Sequence, residues 1–212
     1  MSLQTLAESL HNCQRCKLST LGRSQVVFGI GHPNAQVMFV GEGPGFHEDK
    51  QGEPFVGAAG KLLNELLASA GLSRSEIYIA NVVKCRPPNN RDPEPDEVET
   101  CKPFLFRQID IIKPKLICTL GRWSTETILE RKVSITKIRA QVIRHKNLVV
   151  FPLLHPAAAL HQGNLLPSLR EDFAKLKHYL DEVNRASIST IASLSSEPPK
   201  TPPVQQLQMD LF

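Results

Sequence analysis

Four short apolar runs set the plan of the chain. They lie at 36–41 (Gln-Val-Met-Phe-Val-Gly), 77–83 (Ile-Tyr-Ile-Ala-Asn-Val-Val), 115–121 (Lys-Leu-Ile-Cys-Thr-Leu-Gly) and 148–154 (Leu-Val-Val-Phe-Pro-Leu-Leu). Runs this short, rich in β-formers and bounded by turn residues, read as buried strands. A further short strand between turns is expected within 21–31. Helical patterning fills the intervals, over about 4–18, 57–70, 95–112, 122–131 and 167–184. In the third of these, Phe104, Leu105, Ile109 and Ile112 recur close to the helical period, and Gly71 is placed to end the second. Strands alternating with helices predict an α/β fold with a parallel sheet covered on both faces.

Three segments with chemical potential each follow one of these strands: 41–60, 81–91 and 155–166. In a parallel sheet those ends converge on one edge, where open α/β sheets bind ligands. The first segment, GEGPGFHEDKQGEPFVGAAG, is long and rich in glycine. Glycine lets the backbone approach a ligand closely, and connections of this length are usually functional or disordered.

Composition narrows the class. Of the 212 residues, 41% are hydrophobic and 22% charged, which is ordinary for a globular protein. No apolar run approaches the roughly 18 residues of a membrane span. The first residues lack the basic start and apolar core of a signal peptide, so a cytoplasmic location is expected. Net charge is +4. From Ala186 onward it is −1, so any basic face belongs to the preceding body. From about Ala186 the composition turns to Ser, Thr, Pro and Gln, which predicts a disordered tail over 186–212 behind a domain spanning 1–185.

Five cysteines in a reducing compartment argue for metal or catalysis before disulfides. Cys13 and Cys16 form a CxxC pair, Cys85 follows the second strand, and Cys101 sits in the next helix. Four thiolates without a local histidine fit an iron–sulfur cluster or an all-cysteine zinc site. Only one pair is close in sequence, which favours a cluster. Cys118, inside an apolar strand, reads as core.

Among polar residues, Asn81 lies near the end of an apolar strand, where an amide must find partners. It is either a satisfied structural side chain or a base reader. In the second case its carbonyl accepts from uracil N3–H and its amide donates to O4, a pattern that cytosine reverses. Phe55 is either a core plug or a stacking face. His155 is either a satisfied loop histidine or a donor aimed at charge developing on a leaving group. Leu160 is a candidate wedge between bases. Lys84, Arg86 and Arg91 are either solvated charges or, from their position beside the proposed site, phosphate contacts.

Taken together, GEGPG at 41, the EDxxGxPFVGxAG pattern at 48–60, NVVKCRPPNNRDP at 81–93, HPAAAL at 155–160 and the cysteine spacing resemble the family 4, iron–sulfur uracil-DNA glycosylases over about residues 10–180. The resemblance implies a three-layer α/β/α sandwich around a four-stranded parallel sheet and a structural [4Fe–4S] cluster on Cys13, Cys16, Cys85 and Cys101. It implies monofunctional release of uracil from DNA, leaving an abasic site. Phe55 would stack on uracil, Asn81 would read its edge, and His155 would stabilise the departing anion at O2. Gly41 and Gly43 belong to the loop whose amides meet that charge. Glu42 takes the position associated with the attacking water, and Glu48 that thought to block the thymine 5-methyl group. His161 stands where the family often has arginine. The histidine-bearing insertion of the covalent-trapping relatives is not seen after Asn81.

The tail ends in Gln208-Met-Asp-Leu211-Phe212, which resembles the peptide by which bacterial replication proteins dock in the sliding clamp, with Gln208, Leu211 and Phe212 as the contacts. A non-catalytic iron–sulfur DNA-binding module would need none of Glu42, Asn81 and His155. A glycosylase of different base range is the other competing reading.

Overall fold

The computed structural model describes the backbone of residues 2–195 and the side chains of residues 2–185. In chain order the helices are α1 (Leu3–Glu8), α2 (Phe46–Gln51), α3 (Ala58–Ser69), α4 (Pro95–Ile112), α5 (Arg122–Leu129), α6 (Ile135–Ile138), α7 (Pro156–His161) and α8 (Leu166–Ser195). The strands are β1 (Ile30–Gly31), β2 (Val37–Gly41), β3 (Tyr78–Asn81), β4 (Leu116–Leu120), β5 (Ile143–His145) and β6 (Leu148–Leu153).

The sheet order is β1-β3-β2-β4-β6-β5. Its centre is the expected parallel set, β3, β2, β4 and β6. Two short strands extend it antiparallel: β1 on β3, and β5 on β6. The sheet therefore has six strands rather than four. Strand β1 is only the last two residues of the strand expected within 21–31, and β5 carries no alternation long enough to read.

Every residue of β2, β3 and β4 is buried, as continuous apolar runs require when both faces are covered. Side chains alternate between the faces. On one face Met38 and Val40 join a core with Leu105, Ile109 and Ile112 of α4. On the other, Phe39 stacks on Phe173 of α8, ring centroids 6.2 Å apart. Helix α4 starts where the sequence dictates. Pro95 occupies its first turn, and Glu94 and Glu97 form a reciprocal capping box.

Three boundaries depart from expectation. Helix α1 stops at Glu8, so Cys13 and Cys16 lie in irregular chain beyond it. The 41–60 segment contains helix α2. The last helix, expected over about 167–184, continues as backbone to Ser195. Met1–Lys177 forms one compact unit and contains all six strands, and a second unit begins at His178. The clamp-like contacts Gln208, Leu211 and Phe212 lie outside the described residues. Among the described residues, no helix is long and apolar enough to cross a membrane.

Candidate active site

The three post-strand segments meet around one cavity of about 410 Å³. Glu42, Gly43, Pro44, Gly45, Glu48 and Phe55 come from the first segment, Asn81, Asn90, Arg91 and Asp92 from the second, and His155, Ala157 and His161 from the third. Gly41 and Asn81 are paired in register at the ends of β2 and β3. Pairing continues past the strands, with Val82 N–H on the Gly41 carbonyl and Val83 N–H on the Glu42 carbonyl.

Phe55 is held in place by its surroundings. Its φ of 56° lies in the left-handed region, which costs a non-glycine residue on the order of 1–3 kcal/mol. Arg74 offsets that by donating to the carbonyls of Pro54 (2.8 Å) and Phe55 (3.0 Å). Glu48 Oε1 accepts from the N–H groups of Val56 (2.9 Å) and Gly57 (2.8 Å). Charge-assisted bonds of this kind contribute about 1.5–3 kcal/mol each, enough to impose the conformation. Arg74 was not foreseen, because nothing near it in sequence marks its reach of twenty residues. The Phe55 ring, 6% exposed, faces the His155 ring at 5.7 Å between centroids.

Asn81 is 2% exposed, and its Oδ1 has no hydrogen-bond partner among the described residues. A buried amide oxygen left unpaired costs about 1–3 kcal/mol unless something arrives to donate to it. Gly41 makes room for this group. A Cβ there would stand 2.4 Å from Asn81 Oδ1 and 2.7 Å from Phe55 Cζ. Gly41→Ala is therefore expected to displace both side chains while the sheet stays folded. A misplacement of about 1 Å near reacting groups costs roughly 10²-fold in rate. Single-turnover cleavage beside a thermal melt checks both halves of that expectation.

His155 is the N-cap of α7, and its Nδ1 accepts from the Ala157 N–H at 3.1 Å. With Nδ1 an acceptor, the proton of the neutral ring sits on Nε2. Enclosure of the ring lowers its pKa to about 4, opposed by the charge of Glu48. Glu42 is raised to about 7, by burial first and then by the nearby charge of Asp92, with Arg122 opposing. Asp92 accepts from Trp123 Nε1 at 2.8 Å and lies 3.8 Å from Arg122. The pocket thus holds a neutral donor, an unpaired acceptor, an aromatic face and a carboxyl that titrates near neutrality.

Residues 28–183 match the family profile described as Uracil DNA glycosylase superfamily. The chain belongs to that superfamily. Among its relatives is a type-4 uracil-DNA glycosylase of Sulfurisphaera tokodaii, 52% identical over 185 residues, which cover 83% of this chain and 84% of the relative. The type-4 enzyme of Archaeoglobus fulgidus is 43% identical, covering 82% and 92%. That of Thermotoga maritima is 43% identical, covering 84% and 94%. Each of these matches covers more than four-fifths of the chain.

One of the expected phosphate contacts in this glycosylase chain is turned inward. Lys84 is 1% exposed, and its ammonium donates to the Asn81 carbonyl (2.8 Å) and Gln108 Oε1 (2.5 Å). No phosphate can reach it there. A buried ammonium is tolerable only with such partners, and burial lowers its pKa to about 8. Lys84 thus braces the strand end that carries Asn81. Arg91 makes a two-point bond to Glu97, a fully buried carboxylate, at 2.6 and 2.8 Å. It also donates to the Asp92 carbonyl, so its guanidinium, 31% exposed, braces the pocket wall. Arg86 lies at the surface, its Nε on Asn90 Oδ1 at 2.7 Å. Leu160, on α7, is half exposed.

Cys13, Cys16, Cys85 and Cys101 line a second, much smaller cavity, of about 10 Å³. The Lys84 N–H donates to Cys101 Sγ at 3.3 Å, and Arg23 to Cys85 Sγ at 3.0 Å. A single tetrahedral ion needs its sulfurs about 2.3 Å from one point. Among the described residues no three ligands gather in that way; the sulfurs surround a space instead. Cys118 is fully buried in β4, as core.

Proposed function

We propose that this protein hydrolyses the N-glycosidic bond of deoxyuridine in DNA, releasing uracil and leaving an abasic site. The observation that carries this reading is the buried, unpartnered Oδ1 of Asn81, set in the pocket that Phe55 and His155 also line. It offers an acceptor to uracil N3–H, and the amide nitrogen of the same side chain suits O4. Phe55 supplies a face for the base. We assign Glu48, whose carboxylate holds the adjoining backbone, to the wall that a 5-methyl group would strike.

The target base must leave the stack to enter such a pocket. Leu160 fills the space it vacates, while His161 and Arg86 meet the backbone beside it. As C1′–N1 breaks, its electron pair moves onto uracil, concentrated at N1 and O2. His155 Nε2–H and the loop amides of 41–45 meet that charge. Positive charge grows on the sugar and is partly offset by the DNA phosphates. Water adds to C1′, positioned by the Glu42 carboxylate, which takes up the proton it sheds.

Four thiols lining one space, with no histidine among them, suit a [4Fe–4S] cluster, which Cys13, Cys16, Cys85 and Cys101 would hold. Burial raises the thiols of Cys16, Cys85 and Cys101, so thiolates there need a compensating positive charge, which iron supplies. The cluster would tie the N-terminal segment and α4 to the chain just past Asn81, a structural role.

The test is single-turnover cleavage of an oligonucleotide with one deoxyuridine, scored by alkaline scission, on protein purified without oxygen. Scission at uracil alone is expected, and none in thymine or cytosine controls. The pH profile adds a second expectation. Glu42 is protonated below about 7, so the rate should fall roughly tenfold per unit as pH drops below that value. His155 stays neutral down to about 4 and adds no limb near 6.5. Glu42→Gln should flatten the profile and lower the plateau; a slope that survives the substitution would assign the limb elsewhere.

A further inference from the structure

Two large apolar side chains are conspicuously exposed beside the pocket. Leu160, 50% exposed, is on α7, and Phe46, 49% exposed, opens α2. No other large apolar residue among those described exceeds 43%. Gly45 and Glu48, on either side of Phe46, line the pocket, yet Phe46 stands outside it. An exposed phenylalanine loses the gain of burial unless something else covers it.

Cations gather on this ring. The Arg86 guanidinium lies over it, 5.1 Å from the centroid, and the Lys50 ammonium at 6.0 Å. Arg86 is anchored to Asn90, itself a pocket residue. Lys50 donates to the Ser24 hydroxyl at 3.0 Å. His47 meets the ring edge-on at 5.5 Å. A half-exposed aromatic ring with fixed positive charge beside it is the combination that single-stranded nucleic acid uses, a stacked base with its phosphates held alongside.

We propose that Phe46, with Arg86 and Lys50, forms a platform for the DNA strand next to the extruded nucleotide. The ring stacks on a neighbouring base, and the two cations hold flanking phosphates. This deepens the glycosylase reading and rests on it for the identity of the substrate. Stacking of this kind tolerates any base, so the platform adds affinity without sequence preference.

The experiment is fluorescence anisotropy with a labelled single strand containing one 2′-fluoro-deoxyuridine. The fluorine disfavours positive charge on the sugar and so blocks cleavage. Phe46→Ala is expected to weaken binding by about 5- to 100-fold, as loss of one base–aromatic stack does. Phe46→Leu, which keeps apolar bulk without a π face, should weaken it similarly, and Phe46→Tyr should restore it. In cleavage assays the loss should fall mainly on the half-saturating DNA concentration rather than the maximal single-turnover rate. The slope of log Kd against log salt should hold in Phe46→Ala and drop by about one in Arg86→Ala and in Lys50→Ala. Wild-type affinity in Phe46→Ala or in Phe46→Leu would overturn the stacking role, and unchanged slopes in both cation variants would overturn the phosphate role. If wild-type protein fails to cleave deoxyuridine while Phe46→Ala still weakens binding, the glycosylase reading falls and the platform stands. If it cleaves and Phe46→Ala binds as wild type, the platform alone falls.

Discussion

His155→Ala is expected to slow single-turnover uracil release by about 10²–10³-fold, the usual cost of one preorganised donor at a developing oxyanion. The tautomer of His155 sets this effect. Nδ1 is engaged with the Ala157 N–H, so the ring presents Nε2–H. The ring is already neutral and already oriented, so no reorganisation is needed as charge builds on uracil. Binding of uracil-containing DNA should change only a few-fold, because uracil O2 carries little of that charge in the ground state. Gel shift with the 2′-fluoro substrate, set beside cleavage rates, separates the two effects. A histidine kept only to cap α7 would behave otherwise. Its loss would lower thermal stability, since an N-cap contributes about 0.5–2 kcal/mol, with the cleavage rate at saturating DNA preserved.

The second large effect is expected at Asn81. Asn81→Ala leaves the uracil N3–H and O4 without partners in a dry pocket. The cost is about 1–3 kcal/mol, roughly 5- to 150-fold, for each group left unsatisfied. With two such groups the loss should reach 10²-fold or more, in both cleavage and product inhibition by free uracil. The shape of the pocket should survive, because Lys84 holds the backbone carbonyl of residue 81 rather than its side chain. Inhibition by uracil is therefore the telling readout. If uracil inhibits Asn81→Ala as well as it does the wild type, Asn81 is not the reader and its unpaired oxygen has another purpose.

Much of this site was legible in advance because its chemistry is carried by strand ends. Buried runs of four to six residues announce the parallel core, and in such a core the segments after the strands share one edge. The meeting of Glu42, Asn81 and His155 follows from that topology alone. Helix α4 was legible for a similar reason, its start fixed by Pro95 and the Glu94–Glu97 box. The two edge strands were not. Two- and three-residue strands carry no periodicity, and they exist only because β3 and β6 present free edges.

The sequence by itself determined the parallel core, the convergence of the three loops and the identities of the groups in the pocket. These follow from local pattern, which acts through burial and chain direction. Only the tertiary structure decided where long charged side chains go. Lys84 and Arg86 are two residues apart in the same basic segment, yet one is enclosed with Gln108 and the other lies over Phe46 at the surface. A lysine or arginine side chain is long and flexible enough to face either way. Its choice is set by acceptors that no local pattern reveals, such as Gln108, 24 residues from Lys84 in the chain. The same holds for Phe46, whose half-exposed place at the rim of the pocket is set by the fold.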